Sequence, residues 1–383
     1  MKMMAPDTSA TWCEPAAPSQ RAEWAELLAR AHLDGFTPEA ERAEIDDILF
    51  GIAADPAVSV RRALAEAVAG AQNISPALIR QLARDADSVA ASVIQSSPHM
   101  SEDELVEIYV AGRPKLREAV LGRAQLSESL TATIARFADA EDALRLLNHP
   151  DASLATETLR FIAETFGEEA SIRGALVDRP DLSADIRQFL MRKTSEAVAA
   201  SPLVSLALGE STGRSIGEGA CQAGTATILG GARKSELVKL VERLAASEQL
   251  SPAVLLRLAC SGSLEGLSEA LAQLAGVQAV RVRSILVEGR NKPFAALCQR
   301  AGLPQASIAI LFHAVDVWRH ADEDGEMLTD GEVAARIMQN LAADLASTKA
   351  GTMAPALAFL RGIAREADSR RATQVSSAAI AAA

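Results

Sequence analysis

Four cations lie close together near the end of the chain and form its clearest candidate for binding chemistry. Arg281, Arg283, Arg290 and Lys292 surround a single acidic residue, Glu288. Guanidinium and ammonium groups bind phosphates and carboxylates, so the cluster predicts a surface for a small anion or an acidic partner. Aromatic side chains for base stacking do not accompany it, which argues against recognition of single-stranded nucleic acid.

A glycine-rich stretch, residues 201–234, is the second candidate. Its segment 209–215, GESTGRS, resembles a phosphate-binding loop but is one residue short and has Arg in place of Lys. A phosphate-binding loop follows an apolar strand, and none precedes this segment. We therefore interpret the stretch as a flexible junction or as small-residue packing between helices, with no cofactor-binding residue.

Patterns of catalytic and metal-binding residues are missing from the sequence. The histidines form no HxxxH or HExxH spacing, and the four cysteines form no CxxC pair. No GxSxG motif occurs, and Cys298 lies in an apolar-flanked helix where a thiol is inert. We therefore expect no catalytic residue, no metal site and no cofactor.

Five regularly spaced serines indicate the elements that position these residues. Ser75, Ser101, Ser127 and Ser153 are 26 residues apart, and Ser183 follows after 30. Each precedes a helical pattern, as an N-cap does. A fixed period of this size is typical of stacked helical hairpins. The sequence predicts an all-α fold, an α-solenoid of HEAT-like hairpins followed by a second helical part.

Arginines recur at one position in the second helix of the hairpins. Arg61, Arg117, Arg145 and Arg173 share this position, while Ala90 occupies it in one unit. Aspartates stand in several of the short turns that precede these helices. We therefore predict a structural ladder in which each arginine pairs with an acidic group of an adjacent unit.

Composition divides the chain into five predicted parts. Residues 1–20 are rich in Pro and Ser and are predicted to be disordered. The helical-repeat domain occupies 21–200, the glycine-rich junction 201–234, and a C-terminal helical domain 235–367. Residues 368–383 are predicted to form a flexible tail.

Amphipathic patterns at the two ends of the chain predict which faces pack. In the first helix we expect Trp24, Leu27 and Leu28 to pack over the repeats, and we expect Thr37 to cap the next helix. The last helix carries an apolar stripe that either folds back on its own chain or meets a second copy. The stripe consists of Met353, Leu357, Leu360 and Ile363.

Charge is distributed unevenly along the chain. Residues 37–200 carry 17 basic and 27 acidic groups, whereas residues 201–383 carry 18 of each. An acidic half repels phosphate backbones, so no nucleic-acid partner is expected, although acidic surfaces also serve solubility. The N-terminus lacks the apolar region of a signal peptide, and no stretch reaches the ~18 apolar residues of a membrane helix. We expect a cytoplasmic protein without a membrane partner.

Two sequence phrases carry a family resemblance. The first is LREAVLGRAQLS at 116–127, echoed by IRGALVDRPDLS at 172–183; the second starts as LSPAVLLR at 250–257 and continues to FAALC and AGLP at 294–304. In this order they resemble the bacterial family called domain of unknown function 2336, common in alphaproteobacteria, over about residues 40–320. The resemblance implies a helical fold and a cytoplasmic location, and the family has no established activity.

These observations predict a non-enzymatic helical-repeat scaffold or adaptor. Its expected partner is a protein of unknown identity, or a second copy of the chain. Two alternatives remain open. One is a regulatory module that senses a small anionic ligand near Arg281 and Lys292, and the other is an enzyme of unrecognised class.

Overall fold

Helices form nearly all the regular structure of the part of the chain that can be described. The computed structural model describes residues 16–33, 39–345 and 357–369. Within these residues, a single isolated bridge between Leu126 and Ala152 accompanies the helices, so the predicted all-α fold is confirmed. Contacts divide the chain into two units, Met1–Asp178 and Arg179–Ala383. The predictions for residues 1–15, for Thr37 and Met353, and for residues 370–383 lie outside the described residues.

The first unit is a stack of short helices in two rows. Helices α1, α3, α5, α7, α9 and α11 pack in sequence along one row, and α6, α8 and α10 pack along the other. The described helices are α1 (Pro18–Leu33), α2 (Glu39–Ile52), α3 (Val58–Val68), α4 (Pro76–Ala83), α5 (Asp87–Ser96), α6 (Glu102–Val110), α7 (Pro114–Leu121), α8 (Glu128–Phe137), α9 (Ala140–Asn148), α10 (Thr156–Phe166) and α11 (Ala170–Val177).

Four of the five regularly spaced serines immediately precede a helix. Ser101 forms a capping box with Glu104, and the Ser127 hydroxyl accepts a hydrogen bond from the Leu130 amide. Ser75 and Ser183 take the N-cap position without a side-chain cap. Ser153 differs, because its amide donates to the Leu126 carbonyl at 2.9 Å and its helix begins three residues later, at Thr156.

The first helix is a member of the stack, and its predicted packing face is wrong. Its start at Pro18 also shortens the predicted disordered segment, since Pro is favoured in the first turn of a helix. Ala25 and Ala29 are buried, whereas Trp24 and Leu27 are exposed. The small alanines allow α1 to pack closely along α3, which larger side chains at those positions would prevent.

Ion pairs between successive units join the helices of the first row. Arg61 in α3 binds Asp85, before α5, through two hydrogen bonds of 2.6 and 2.8 Å. Arg21 in α1 binds Asp55, before α3, in the same bidentate way, with both distances 2.9 Å. Each aspartate also accepts from a backbone amide at the start of the helix that follows it. Helix start and neighbouring helix are thus fixed by the same carboxylate.

A buried tyrosine extends the ladder further along the row. Arg117 in α7 lies 2.5 Å from Asp142 in α9, and it donates to the Tyr109 hydroxyl at 2.9 Å. That hydroxyl in turn donates to Asp142 at 2.7 Å. Burial, and after it the contact with Asp142, raises the pKa of Tyr109 far above its usual range against the opposing effect of Arg117, so the phenol stays protonated as a donor.

At the other ladder positions the pairing differs from the prediction. In the unit with Ala90 the charges are reversed, because Arg113 before α7 contacts Asp87 in α5. Arg145 binds Glu141 in its own helix at 2.9 Å and approaches Glu118 of the preceding unit only to 4.0 Å. The Arg145 side chain is half exposed, and at such a surface position the i, i+4 contact with Glu141 competes well with the more distant Glu118.

Arg173 departs from the prediction in another way. It donates to the backbone carbonyl oxygens of Gly167 and Glu168, in the turn before its own helix. Arg61 makes the same kind of contact with the Asp55 carbonyl in addition to its ion pair. Arg61 and Arg173 therefore both contact the turn that precedes their own helix, but of these two only Arg61 also forms an ion pair with an acid of the next unit in the described part of the chain.

The second unit surrounds one apolar core. Helix α16 lies at its centre, with every residue from Val254 to Cys260 buried. The described helices are α12 (Ala184–Ala199), α13 (Pro202–Leu208), α14 (Glu210–Gly231), α15 (Lys234–Ala246), α16 (Pro252–Cys260), α17 (Leu264–Ala275), α18 (Ala279–Glu288), α19 (Asn291–Arg300), α20 (Gln305–Asp324), α21 (Asp330–Leu345) and α22 (357–369).

The last helix folds back on its own chain. Leu360 and Ile363 in α22 are buried in the core of the second unit. Arg257 of α16 binds Glu366 through two hydrogen bonds of 2.6 and 3.0 Å, and its guanidinium lies over the Phe359 ring. The described residues of the apolar stripe therefore fold back on their own chain, which is the first of the two roles considered for it.

The boundary between the units differs from the predicted one. The predicted repeat domain extends to residue 200, whereas the first unit ends at Asp178. Helix α12 packs against α14 and α15, so it belongs to the second unit. The cause is the glycine-rich stretch, which is helical and gives α12 a partner on its C-terminal side.

Truncation of Arg61 should destabilise the first unit strongly. The Arg61→Ala variant leaves Asp85 without its main partner at a site where both side chains are only 16% exposed. We expect the local opening free energy of α3–α5 to fall by about 2–3 kcal/mol. The neighbouring control Arg62→Ala, whose ion pair is exposed, should change it by less than about 0.5 kcal/mol. Hydrogen exchange measures both, and equal effects would contradict the ladder's role.

Acid should weaken the same contact. The Arg61 hydrogen bond, and then the Ala86 amide, hold the pKa of Asp85 below its usual range despite burial. A lowered folded-state pKa gives stability that is present above the unfolded value of about 3.9 and is lost as the pH falls through the folded value. The difference in unfolding free energy between the wild type and Asp85→Asn should therefore shrink below about pH 4. A difference that stays constant down to pH 2 would contradict this assignment.

Candidate functional site

The four predicted cations do not converge on one site. Arg283 points to Glu269 in α17, with 3.7 Å between Nη2 and Oε1, and Arg290 lies 3.6 Å from Glu288. Arg281 is exposed on α18, and Lys292 is exposed in the first turn of α19. A groove of about 270 Å³ beside α17 is lined by Glu269 and not by these cations. Two of the four charges are thus compensated, and no concave anion site joins them.

Two cysteines and one histidine of the second unit have contacts that stabilise the fold and give them no reactive character. Burial raises the pKa of Cys260 and of Cys298 to about 12, which keeps both thiols protonated and unreactive. His320 donates from Nδ1 to the Asp316 carbonyl within its own helix at 2.8 Å. Among the described residues, no group of three or more His, Cys, Asp or Glu side chains is arranged to hold a metal ion.

Two other histidines cap carbonyl groups between successive repeats. The Nε2 of His99 contacts the Gln72 carbonyl at 3.1 Å, and the Nε2 of His149 contacts the Arg123 carbonyl at 2.8 Å. Arg123 itself donates to the carbonyls of Ile94 and Ser97. These side chains satisfy backbone groups at the ends of helices, so they belong to the stack and not to a ligand site.

The glycine-rich stretch forms a long helix packed closely on its neighbours. A Cβ built on Gly217 would lie 3.1 Å from the Ser195 carbonyl oxygen and 3.3 Å from the Cβ of Ala199, both in α12. A Cβ on Gly213 would collide with Val204 of α13 at 2.8 Å. Of the two interpretations of this stretch, flexible junction and small-residue packing, the geometry corresponds to the second.

An open groove of about 680 Å³ follows the contact between α12 and α14. Cys221 lies in its wall, and burial, more than any neighbouring group, raises the pKa of that thiol. The groove carries both signs of charge and no strong nucleophile. Its charged lining residues are Arg192, Glu196, Glu210, Arg214 and Glu218.

Helix α13 is the least covered element of the second unit. None of its residues is buried, and Leu203 and Leu206 are 77% and 86% exposed. Val198 at the end of α12 and Leu208 and Ile216 beside it are also exposed. Ser205 lines the charged groove, so the apolar surface of α13 and the groove adjoin. We refer to residues 194–218 as the α13 tip.

The α13 tip was not predicted from the sequence, because the many glycines of residues 201–234 are typical of loops as well as of packed helices. The signal was nonetheless present in the segment PLVSLAL, 202–208, in which every residue except Ser205 is apolar. A helix of that kind is ordinarily buried, so its exposure is the informative feature.

Comparison with known proteins gives one match. A family model described as an uncharacterised protein conserved in bacteria, DUF2336, matches residues 89–351. This is the family that the two sequence phrases resemble, and the matched range includes the α13 tip. No curated protein and no solved structure matches the chain. No single described helix has the length and apolar character needed to cross a membrane, and the pair α17 and α18, which has both in combination, is bent by 119°.

Leucine substitutions at Gly217 and Gly219 should distinguish the effect of helix packing on the free energy of unfolding from the effect of helix propensity. Gly217→Leu places a side chain against the backbone of α12 and should lower the free energy of unfolding by about 1–3 kcal/mol. At Gly219 a Cβ meets nothing within 4 Å, so Gly219→Leu should raise it by up to about 1 kcal/mol. Denaturant unfolding followed by circular dichroism measures both changes. Equal signs would show that the glycines do not set the distance between α12 and α14.

Proposed function

The chain belongs to the DUF2336 family of proteins conserved in bacteria, and on that premise we propose that it is a non-enzymatic helical-repeat scaffold of the bacterial cytoplasm. It binds another polypeptide chain through the α13 tip. The single observation that carries this proposal is the exposure of Leu203 and Leu206 on a helix that has no buried residue.

Burial of the α13 tip against a partner is favourable in free energy. Transfer of one leucine side chain from water to an apolar contact contributes about 1.5–3 kcal/mol, so the two leucines together offer about 3–6 kcal/mol. Contiguous apolar surface of this kind on a water-soluble helix is typical of an association site. Rigid helices also lose little conformational entropy on binding, because α14 already fixes the direction of α13 through Gly213 and Val204.

Charge around the tip favours a protein over a membrane or a nucleic acid. Helices that bind membrane surfaces carry basic residues beside the apolar face. Here the flanking charges are three carboxylates, Glu196, Glu210 and Glu218, and two guanidinium groups, Arg192 and Arg214. Carboxylates repel both anionic lipids and phosphate backbones. A polypeptide surface of mixed charge does not meet this repulsion.

The first unit supplies a rigid body for such a scaffold. Its helices are joined by Arg21–Asp55, Arg61–Asp85 and Arg117–Asp142 contacts in addition to apolar packing. A stack of this kind presents long rows of exposed helix surface at fixed spacing. It supports the scaffold proposal by offering a second, separate face for binding.

The two alternative functions receive less support from the geometry. A sensor of small anions would need converging free cations, whereas Arg283 and Arg290 are paired with carboxylates. An enzyme would need an activated nucleophile or a poised acid and base. The described thiols of Cys221, Cys260 and Cys298 have raised pKa values instead.

Site-specific photocrosslinking in the native host should capture the partner of the α13 tip. A photoreactive phenylalanine analogue at position 206 should give one dominant covalent adduct that includes a second polypeptide. The same residue at position 327, where the natural Met327 is 97% exposed, serves as the control and should give none. Equal adduct patterns at the two positions would contradict the proposal, because exposure alone would then explain the reaction.

A further inference from the structure

We propose that the partner of the α13 tip is a second copy of this chain, bound about a two-fold axis that pairs Arg214 of each copy with Glu218 of the other. This inference rests on the proposed function of the same surface and names the occupant. Three features of the α13 tip support it, and each comes from a different property of the surface.

Three charged side chains of α14 have no polar partner within the described part of the chain. Glu210, Arg214 and Glu218 are exposed and follow one another at i, i+4 and i+8, so they lie along one side of the helix. The other charged pair of the groove differs, because Arg192 and Glu196 of α12 bind each other at 3.0 Å. The surface thus offers one guanidinium and two carboxylates to a partner.

The order of these charges is self-complementary. In an antiparallel pair of α14 helices with its axis between residues 214 and 218, Arg214 of one copy faces Glu218 of the other, and the contact occurs twice. The same register places Glu210 opposite the side-chain amide of Gln222. An interface between identical copies repeats every contact in this way. A partner of single charge sign would instead leave either Arg214 or the carboxylates unpaired.

The extent of the tip also fits a pair of identical chains. A stable interface takes about 20–30 residues from each side. Residues 194–218 fall in that range, and Gly213 and Gly217 are the buried residues among them. Leu203 and Leu206 provide apolar area beside the charged groove through which the two-fold axis passes.

Light scattering coupled to size-exclusion chromatography tests the inference with the purified full-length chain. The mass of one chain is 40.2 kDa. Over a concentration series, the wild type should reach twice this mass. The Leu203→Glu/Leu206→Glu variant should remain at the mass of one chain, with an unchanged circular dichroism spectrum because both positions are exposed. Val287→Glu, on an exposed position of α18 that is 76% accessible, is the matched control and should behave as the wild type.

Charge reversal tests the pairing itself. Arg214→Glu alone and Glu218→Arg alone should each raise the dissociation constant of the dimer by about tenfold or more, because like charges then face each other. The double variant Arg214→Glu/Glu218→Arg restores opposite charges across the axis and should return to within about threefold of the wild type. Single variants without effect, or a double variant as weak as the singles, would overturn the proposed pairing.

Failure of this inference can be told apart from failure of the proposed function. A wild type that stays at the mass of one chain at every concentration overturns the second copy as partner. If position 206 then still forms an adduct with a different polypeptide, the tip is an association surface for that protein. If position 206 forms no adduct either, both the inference and the proposed function are overturned.

Discussion

A helical hairpin cannot bury both faces of its helices by itself, and this constraint determines which helix faces the chain covers and which remain exposed. In the first unit the next hairpin covers the open face, and an arginine in one second helix binds the aspartate that begins the following one. Arg61 with Asp85 shows the arrangement most fully, since the carboxylate also accepts a hydrogen bond from the amide of Ala86, the N-cap residue of α5. The start of α5 and the contact between units therefore depend on one side chain, Asp85.

The second unit meets the same constraint with different means. Glycines in α14 allow its backbone to approach α12, and α22 returns to cover α16 through Leu360 and the Arg257–Glu366 contact. Helix α13 is the exception, because it packs through Val204 on Gly213 and leaves its leucines exposed. An apolar helix with no buried residue, in a unit whose other described helices bury part of their surface, is the physical basis for the proposed association through the α13 tip.

Much of the architecture could be predicted from the sequence, because helix caps and periods are local signals. The serine spacing located hairpin starts, and Ser101 with Glu104 formed the capping box that its sequence indicates. Long-range choices were not predictable in the same way. Whether Arg145 pairs with Glu118 of the preceding unit or with Glu141, four residues away in its own helix, depends on a distance that no spacing rule contains. The glycine-rich stretch is a packed helix and not a flexible junction. Its sequence did not distinguish the two, because glycine favours both loops and close helix packing, and the outcome depends on the facing residues of α12.

The exposure of α13 in a single chain is the central claim, and hydrogen exchange at varied protein concentration tests it most directly. A peptide covering residues 201–209 should exchange quickly in dilute solution and become protected as the concentration rises, since a second copy then covers it. A peptide from α16, buried within each chain, should be protected equally at all concentrations. Protection of residues 201–209 that is strong in dilute solution, or that is independent of concentration, would contradict an open α13 covered by association.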